Sequence, residues 1–236
     1  MFNITIVAGA RPNFMKIAPI IKAIKKAKAD GKSIDFRLVH TGQHYDKNLS
    51  DTFFDELNIP RPDVNLNVKS GSQAEQTAKI MIGFEAELLE YTPDLVLVVG
   101  DVTSTMACTV VAKKLHIDVA HVEAGIRSGD ITMPEEINRM LTDSIADYFF
   151  TTTPLADQNL LKSGKHQGQI FLVGNVMVDT LFQNIDRLKK PDFWEELQLS
   201  NQSYFVMTLH RPSNVDEEEK LISLITTIVE ESQGKP

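Results

Sequence analysis

Four carboxylates within one stretch carry the chemistry this chain has to offer. In residues 98–143, VVGDVTSTMACTVVAKKLHIDVAHVEAGIRSGDITMPEEINRMLTD, Asp101 follows one apolar run and Glu123 closes another. Glu135 and Glu136 open a segment led by Pro134. A carboxylate at the end of a buried strand is costly to desolvate. In open α/β sheets the carboxyl ends of parallel strands are also where ligands sit, and acids placed there can remove and return protons. Each acid has a structural alternative. Asp101 is placed to N-cap a helix beginning near Thr103. Glu123 can pair with Arg127, four residues on. Glu135 and Arg139 have a favourable helical spacing, and acids in a first helical turn complement its dipole. The alternatives weaken because these acids converge on one edge of a sheet.

Cations flank the acids. Arg11 and Lys16 follow the first apolar run in VAGARPNFMK. The N–H groups at a helix start favour an anion, so a nucleoside diphosphate is the natural guest unless both are simply surface cations. Gln43 and His44, in TGQHYD after the second run, either meet a ligand or cap the following helix. His210 and Arg211 end a later run, TLHRPSN, and either serve structure or face Arg11 across a cleft. The GxGxxG fingerprint and the Walker A pattern are both absent, which argues against a dinucleotide at the first turn.

The elements that must position these groups alternate. Apolar runs at 3–8, 35–40, 63–66, 95–99, 118–122, 147–151 and 170–173 read as strands. Helical periodicity covers 14–29, 43–57, 72–91, 103–115, 134–146 and 154–162. Strand–helix alternation with continuous apolar strands predicts an α/β fold with a doubly wound parallel sheet. A helix at 178–188 and a polar linker follow, then a strand at 204–209 and a helix at 217–231. The expected organisation is a Rossmann-like domain over 1–175, a connecting helix and linker over 176–203, and the start of a second domain over 204–236. One βα unit cannot bury both its faces, so that second domain is expected to be truncated.

Composition narrows the function classes. The 236 residues include 42% hydrophobic and 24% charged residues, a globular balance. With 24 basic against 32 acidic residues the net charge is −8, which argues against a nucleic-acid partner. No segment reads as a signal peptide or a membrane span. The single cysteine, Cys108, lies in an apolar run and fits a reducing, cytoplasmic setting. Trp194, in DFWEEL, reads as a packing residue.

Taken in order, GARPNFMKIAP, TGQHYD, VVGDVTST, HVEAGIRSGD, MPEEINRMLTD, VGNVMVDTL and TLHRPSNVD resemble the non-hydrolysing UDP-N-acetylglucosamine 2-epimerases, as far as about Asp216. The resemblance implies a GT-B fold with two Rossmann-like domains and the active site between them. It implies a dimeric isomerase without NAD or metal, interconverting UDP-GlcNAc and UDP-ManNAc for bacterial surface polysaccharides. The implied route eliminates UDP to give 2-acetamidoglucal and adds it back after protonation on the other face of C2. By motif, Asp101, Glu123 and Glu135 resemble the catalytic acids, with Glu135 against Glu136 left open. Arg11, Lys16, His210 and Arg139 resemble the catalytic and diphosphate-side cations. Gln43, His44, Glu136 and Arg211 match an activator site for a second UDP-GlcNAc. A hydrolysing epimerase, and a folded fragment without turnover, are the alternatives.

Overall fold

The computed structural model describes residues 1–42, 54, 56–209, 212–232 and 234–235. It divides into two compact units, Met1–Ile185 and Asp186–Pro236. The first unit is built on seven strands: β1 (Phe2–Ala8), β2 (Ile34–His40), β3 (Val64–Asn65), β4 (Leu95–Val99), β5 (Asp118–Ala124), β6 (Tyr148–Thr151) and β7 (Ile170–Leu172). All pair in parallel, in the order β3-β2-β1-β4-β5-β6-β7. The order reverses between β1 and β4. Open α/β sheets bind ligands at such a switch point.

The helices are α1 (Arg11–Ala29), α2 (Gln73–Glu90), α3 (Thr103–Lys114), α4 (Pro134–Ile145), α5 (Pro154–Lys162) and α6 (Val176–Asn184). Their starts follow local chemistry. Pro12, Pro134 and Pro154 occupy first turns, where a missing N–H costs nothing. Ser72 and Glu75 form a reciprocal capping box on α2, at 3.2 and 3.0 Å. The helix expected over 43–57 lies almost wholly outside the described residues.

Two cores sandwich the sheet, and strand alternation sorts residues between them. Val7, Val96 and Val98 face Phe84, Leu88 and Val111. Ile6, Ala8, Leu97 and Val99 face Phe14, Ile17 and Ile21. This double burial explains why the strands read as continuous apolar runs. The helix expected as a connector, now α6, packs on α1. Thr180 is buried there, and its hydroxyl donates to Met15 O at 2.6 Å.

Within the second unit, Trp194 packs edge-on against Tyr204, with ring centroids 5.1 Å apart. Helix α7 (Phe193–Glu196) carries Trp194, and α8 (Pro212–Val215) and α9 (Glu218–Glu231) follow Tyr204 in the chain. The strand expected over 204–209 does not form. A strand exists through its ladder, and among the described residues of this unit no second strand pairs with it.

Gly125 marks where the sheet meets α5. Its φ is +78°, and a methyl group there would lie 2.4 Å from Ala156 O. Gly125→Ala combines left-handed strain with overpacking and should cost roughly 2–4 kcal/mol. A correspondingly lowered urea midpoint is the expected readout.

Candidate active site

The site forms where the turns after β1, β4 and β5 meet. Asn13 ties the first of them. Its Oδ1 accepts the Gly9 and Ala10 N–H groups at 3.0 and 2.9 Å, and its Nδ2 donates to Val99 O at 3.3 Å. Thr105 donates to the same carbonyl at 2.9 Å. The two turns touch so closely that a Cβ on Gly9 would meet Ser104 Oγ at 1.7 Å. A single glycine therefore provides the backbone approach here without the dinucleotide fingerprint.

Lys16, one turn into α1, forms an ion pair with Glu123. Both side chains are largely buried, at 12% and 11% exposure. Glu123 reaches it through an irregular backbone. The β5–β6 register slips between Val122 and Ala124, and Glu123 has a φ of +70°. Bulges of this kind re-aim side chains beside functional sites, and a non-glycine residue in that region is strained. Gly100 completes the cluster. A methyl group there would lie 2.8 Å from Lys16 Nζ, 3.6 Å from Glu123 Oε2 and 3.7 Å from Asn13 Nδ2. The turn carrying Asp101 therefore lies directly against the Lys16–Glu123 pair.

Asp101 does not cap α3; Val102 holds the cap position and makes no side-chain cap bond. The Asp101 carboxylate instead accepts from Arg139 Nη2 and Nε, at 2.6 and 3.0 Å. Asn138 Nδ2 fixes the Asp101 carbonyl at 2.9 Å. Arg139 also donates to Glu136 through Nη1 at 2.6 Å. Buried Glu136 accepts the Ser128 and Gly129 N–H groups as well, at 3.0 and 3.3 Å. Burial pushes its carboxyl up, but the Ser128 N–H and the Arg139 guanidinium outweigh that and hold it below the usual range. Glu136 thus organises the loop between β5 and α4.

Behind these groups lies a buried pair absent from the sequence reading. His121, fully buried on β5, contacts Asp143 Oδ1 through Nδ1 at 2.7 Å and Gly100 O through Nε2 at 2.8 Å. Asp143 Oδ2 accepts the Gly125 N–H at 3.0 Å and Arg127 Nη1 at 2.7 Å. Burial raises the Asp143 carboxyl, but the neighbouring His121 ring and Arg127 guanidinium bring it below the usual range.

Two pairings expected from the sequence are also corrected by this geometry. Arg127 pairs with Asp143 and not with Glu123, because Lys16 reaches Glu123 from across the sheet. Arg139 pairs with Glu136 at i,i+3 and with Asp101, and not with Glu135. Glu135 is half-buried, and its carboxylate makes no hydrogen bond or ion pair with the described residues. Arg11 opens α1, but its side chain is outside the description. Gln43, His44, His210 and Arg211 lie outside the described residues. Asp101, Glu123, Glu136, Lys16 and Arg139 do gather at the strand ends. Asn13, His121, Asn138 and Asp143 were missed. One usable signal was the polar His inside the apolar run VAHVEA. Another was the i, i+3, i+7 spacing of Glu136, Arg139 and Asp143, which puts a polar stripe on one face of α4.

Among the described residues, no group of three His, Cys, Asp or Glu is arranged to hold a metal ion. No described helix is long and apolar enough to cross a membrane. Burial raises the Cys108 thiol well above its ordinary value, so it is no nucleophile.

A doubly wound sheet with paired acids and cations at its switch point defines a Rossmann-like α/β protein with a charged cluster at its strand ends. The sequence model for UDP-N-acetylglucosamine 2-epimerase matches residues 25–235, and the chain belongs to that family. A UDP-N-acetylglucosamine 2-epimerase from Methanocaldococcus jannaschii is 45% identical, over 97% of this chain and 62% of that protein. A UDP-2,3-diacetamido-2,3-dideoxy-D-glucuronate 2-epimerase from Pseudomonas aeruginosa is 38% identical, over 97% of this chain and 63% of that protein. The crystal structure of the M. jannaschii UDP-GlcNAc 2-epimerase in complex with UDP-GlcNAc and UDP superposes with a TM-score of 0.82, at 45% identity, covering 97% of this chain and 62% of that one. The chain thus spans less than two thirds of the length of each of these relatives.

The network sets an acid limit on stability. The Asp143 carboxyl is held below its unfolded value, so its contribution is whole above about pH 4 and is lost as pH falls through the lower folded value. Asp143→Asn should cost about 1–3 kcal/mol at neutral pH, the scale of a charged hydrogen bond. Its urea midpoint should also fall less steeply than that of the wild type on acidification below about pH 4.

Proposed function

We propose that this chain supplies the acid-bearing wall of an epimerase that inverts C2 of a UDP-N-acetylhexosamine, interconverting UDP-GlcNAc and UDP-ManNAc. The observation that carries the reading is the pairing of Lys16 with Glu123 beside Asp101 and Arg139 at the switch point. Family membership supports it.

The residue types suit an elimination and re-addition. The C2 hydrogen has no adjacent carbonyl, so simple deprotonation is too difficult. Loss of the C2 proton to a carboxylate, with cleavage of the C1–O bond, forms a C1–C2 double bond and releases UDP. Reprotonation on the opposite face of C2 and return of the UDP oxygen to C1 give the epimer. The cycle is redox-neutral and asks for no nicotinamide. Glu123 and Asp101 are the acid–base candidates, with Glu135 as a third and His210 as the group from the second domain. Lys16, Arg139 and Arg11 suit the departing diphosphate, because fixed cations stabilise charge as it develops.

A second UDP-GlcNAc as activator would draw on Gln43, His44, Glu136 and Arg211. Glu136 already holds the Ser128–Gly129 turn, so it would act by shaping the loop. A homodimer is supported by α4, whose polar residues Glu136 and Asp143 are buried while Ile137, Met140 and Leu141 are exposed. That inverted amphipathicity calls for a cover on its apolar side. The domain division at 1–175, 176–203 and 204–236 and a cytoplasmic location complete the reading.

The deciding experiment incubates the full-length gene product with UDP-GlcNAc in deuterium oxide and follows the sugars by NMR. UDP-ManNAc carrying deuterium at C2 is the expected product. Free ManNAc with UDP would instead mark a hydrolysing epimerase, and no change in the sugar would overturn the proposal. Asp101→Asn and Glu123→Gln should each slow turnover by well over about 10²-fold, the scale of an acid–base group. Met140→Lys should shift the protein from dimer to monomer by light scattering; an unchanged mass would place the interface elsewhere.

A further inference from the structure

We infer that His121 and Asp143 are positioning residues, a buried pair that sets where Asp101 and Glu123 point without touching substrate. The kinetic part of this inference rests on the epimerase reading; the geometric part does not.

Asp143 grips β5 on both sides of Glu123. One oxygen meets His121 Nδ1 and the other accepts the Gly125 N–H. Between those contacts lie the register slip and the left-handed Glu123 that send the carboxylate to Lys16. Glu123 holds a backbone conformation it would not choose locally, and such strain persists only where its surroundings over-determine it. The two anchors from Asp143 provide that constraint.

The other side of the His121 ring controls the neighbouring turn. Nε2 contacts Gly100 O, immediately before Asp101, and the Gly100 N–H returns to Val122 O at 2.9 Å. One side chain therefore links the turn carrying Asp101 to the strand carrying Glu123. Both ring nitrogens lie at hydrogen-bond distance from oxygen atoms, Asp143 Oδ1 and Gly100 O. Packing alone gives no reason for an imidazole here. Its strand neighbours Val119, Ala120 and Val122 fill the core without any desolvated polar atom.

The test uses three variants of the full-length protein. His121→Phe keeps an aromatic ring but offers no N–H. His121→Asn is too short to reach Gly100 O. His121→Gln retains the reach of one donor. Misplacing a catalytic group by about 1 Å costs on the order of 10²-fold. The Phe and Asn variants should therefore lose about 10²-fold in kcat, with KM for UDP-GlcNAc within about threefold. Gln should recover about tenfold of that loss. A residue that merely stabilised the fold would lower Tm without separating kcat from KM, and without rescue. Crystal structures of the variants give a readout independent of turnover, in which Glu123 should leave its left-handed conformation and lose Lys16. A folded variant with wild-type kcat, or with Glu123 still paired to Lys16 in that conformation, overturns the inference. If His121→Phe does not fold, His121→Asn is judged by the same criteria. If the wild-type protein epimerises nothing, the functional proposal falls, and the position of Glu123 in the variants alone decides this inference.

Discussion

Everything at the strand ends depends on finding partners for carboxylates in a place that disfavours charge. Glu123, Glu136 and Asp143 all lie where water is largely excluded. Each is met by a cation or a ring, and Glu136 and Asp143 by backbone N–H groups as well. Breaking a buried pair by removing one partner is far more damaging than never building it. That asymmetry makes the cluster a unit. Lys16 holds Glu123, Arg139 bridges Asp101 and Glu136, and Arg127 with His121 holds Asp143.

Packing on the two faces of the sheet serves this cluster by fixing the distances between turns. The contact between Gly9 and Ser104, the Gly100 turn under Lys16, and the Gly125 backbone against Ala156 are close approaches that a methyl group would block. They bring the ends of β1, β4 and β5 into one small region. Helix α4 turns its polar stripe inward to reach them and leaves Ile137, Met140 and Leu141 outside. The usual amphipathic arrangement is reversed because the site, and not a hydrophobic core, is what this helix covers.

The sheet was legible in the sequence because its signals are local. The strands give seven apolar runs, the central ones buried on both faces, and each is found within a few residues of its expected place. The strand expected at 204–209 failed for the complementary reason. Its apolar run is just as clear, but a ladder needs a partner that no local pattern can supply. At the site, Asp101 and Glu123 stood out because charge interrupts an apolar run. Their pairings with Lys16 and Arg139 did not. Helical spacing matched Glu135 to Arg139, whereas Arg139 selects Glu136 and Asp101.

The chain's order of residues determined by itself the α/β class, the parallel winding, the end of the sheet where acids and cations gather and most of the residue types found there. Periodicity and turn chemistry act over a few residues and can be read directly. Only the tertiary structure decided which cation serves which acid, that Glu136 shapes a loop, and that His121 and Asp143 stand behind the site. These contacts join residues far apart in the chain, Lys16 to Glu123 and Asp101 to Arg139 among them. Their geometry arises from strand order, a slipped register and three glycine-permitted approaches, and none of these is encoded at the position it controls.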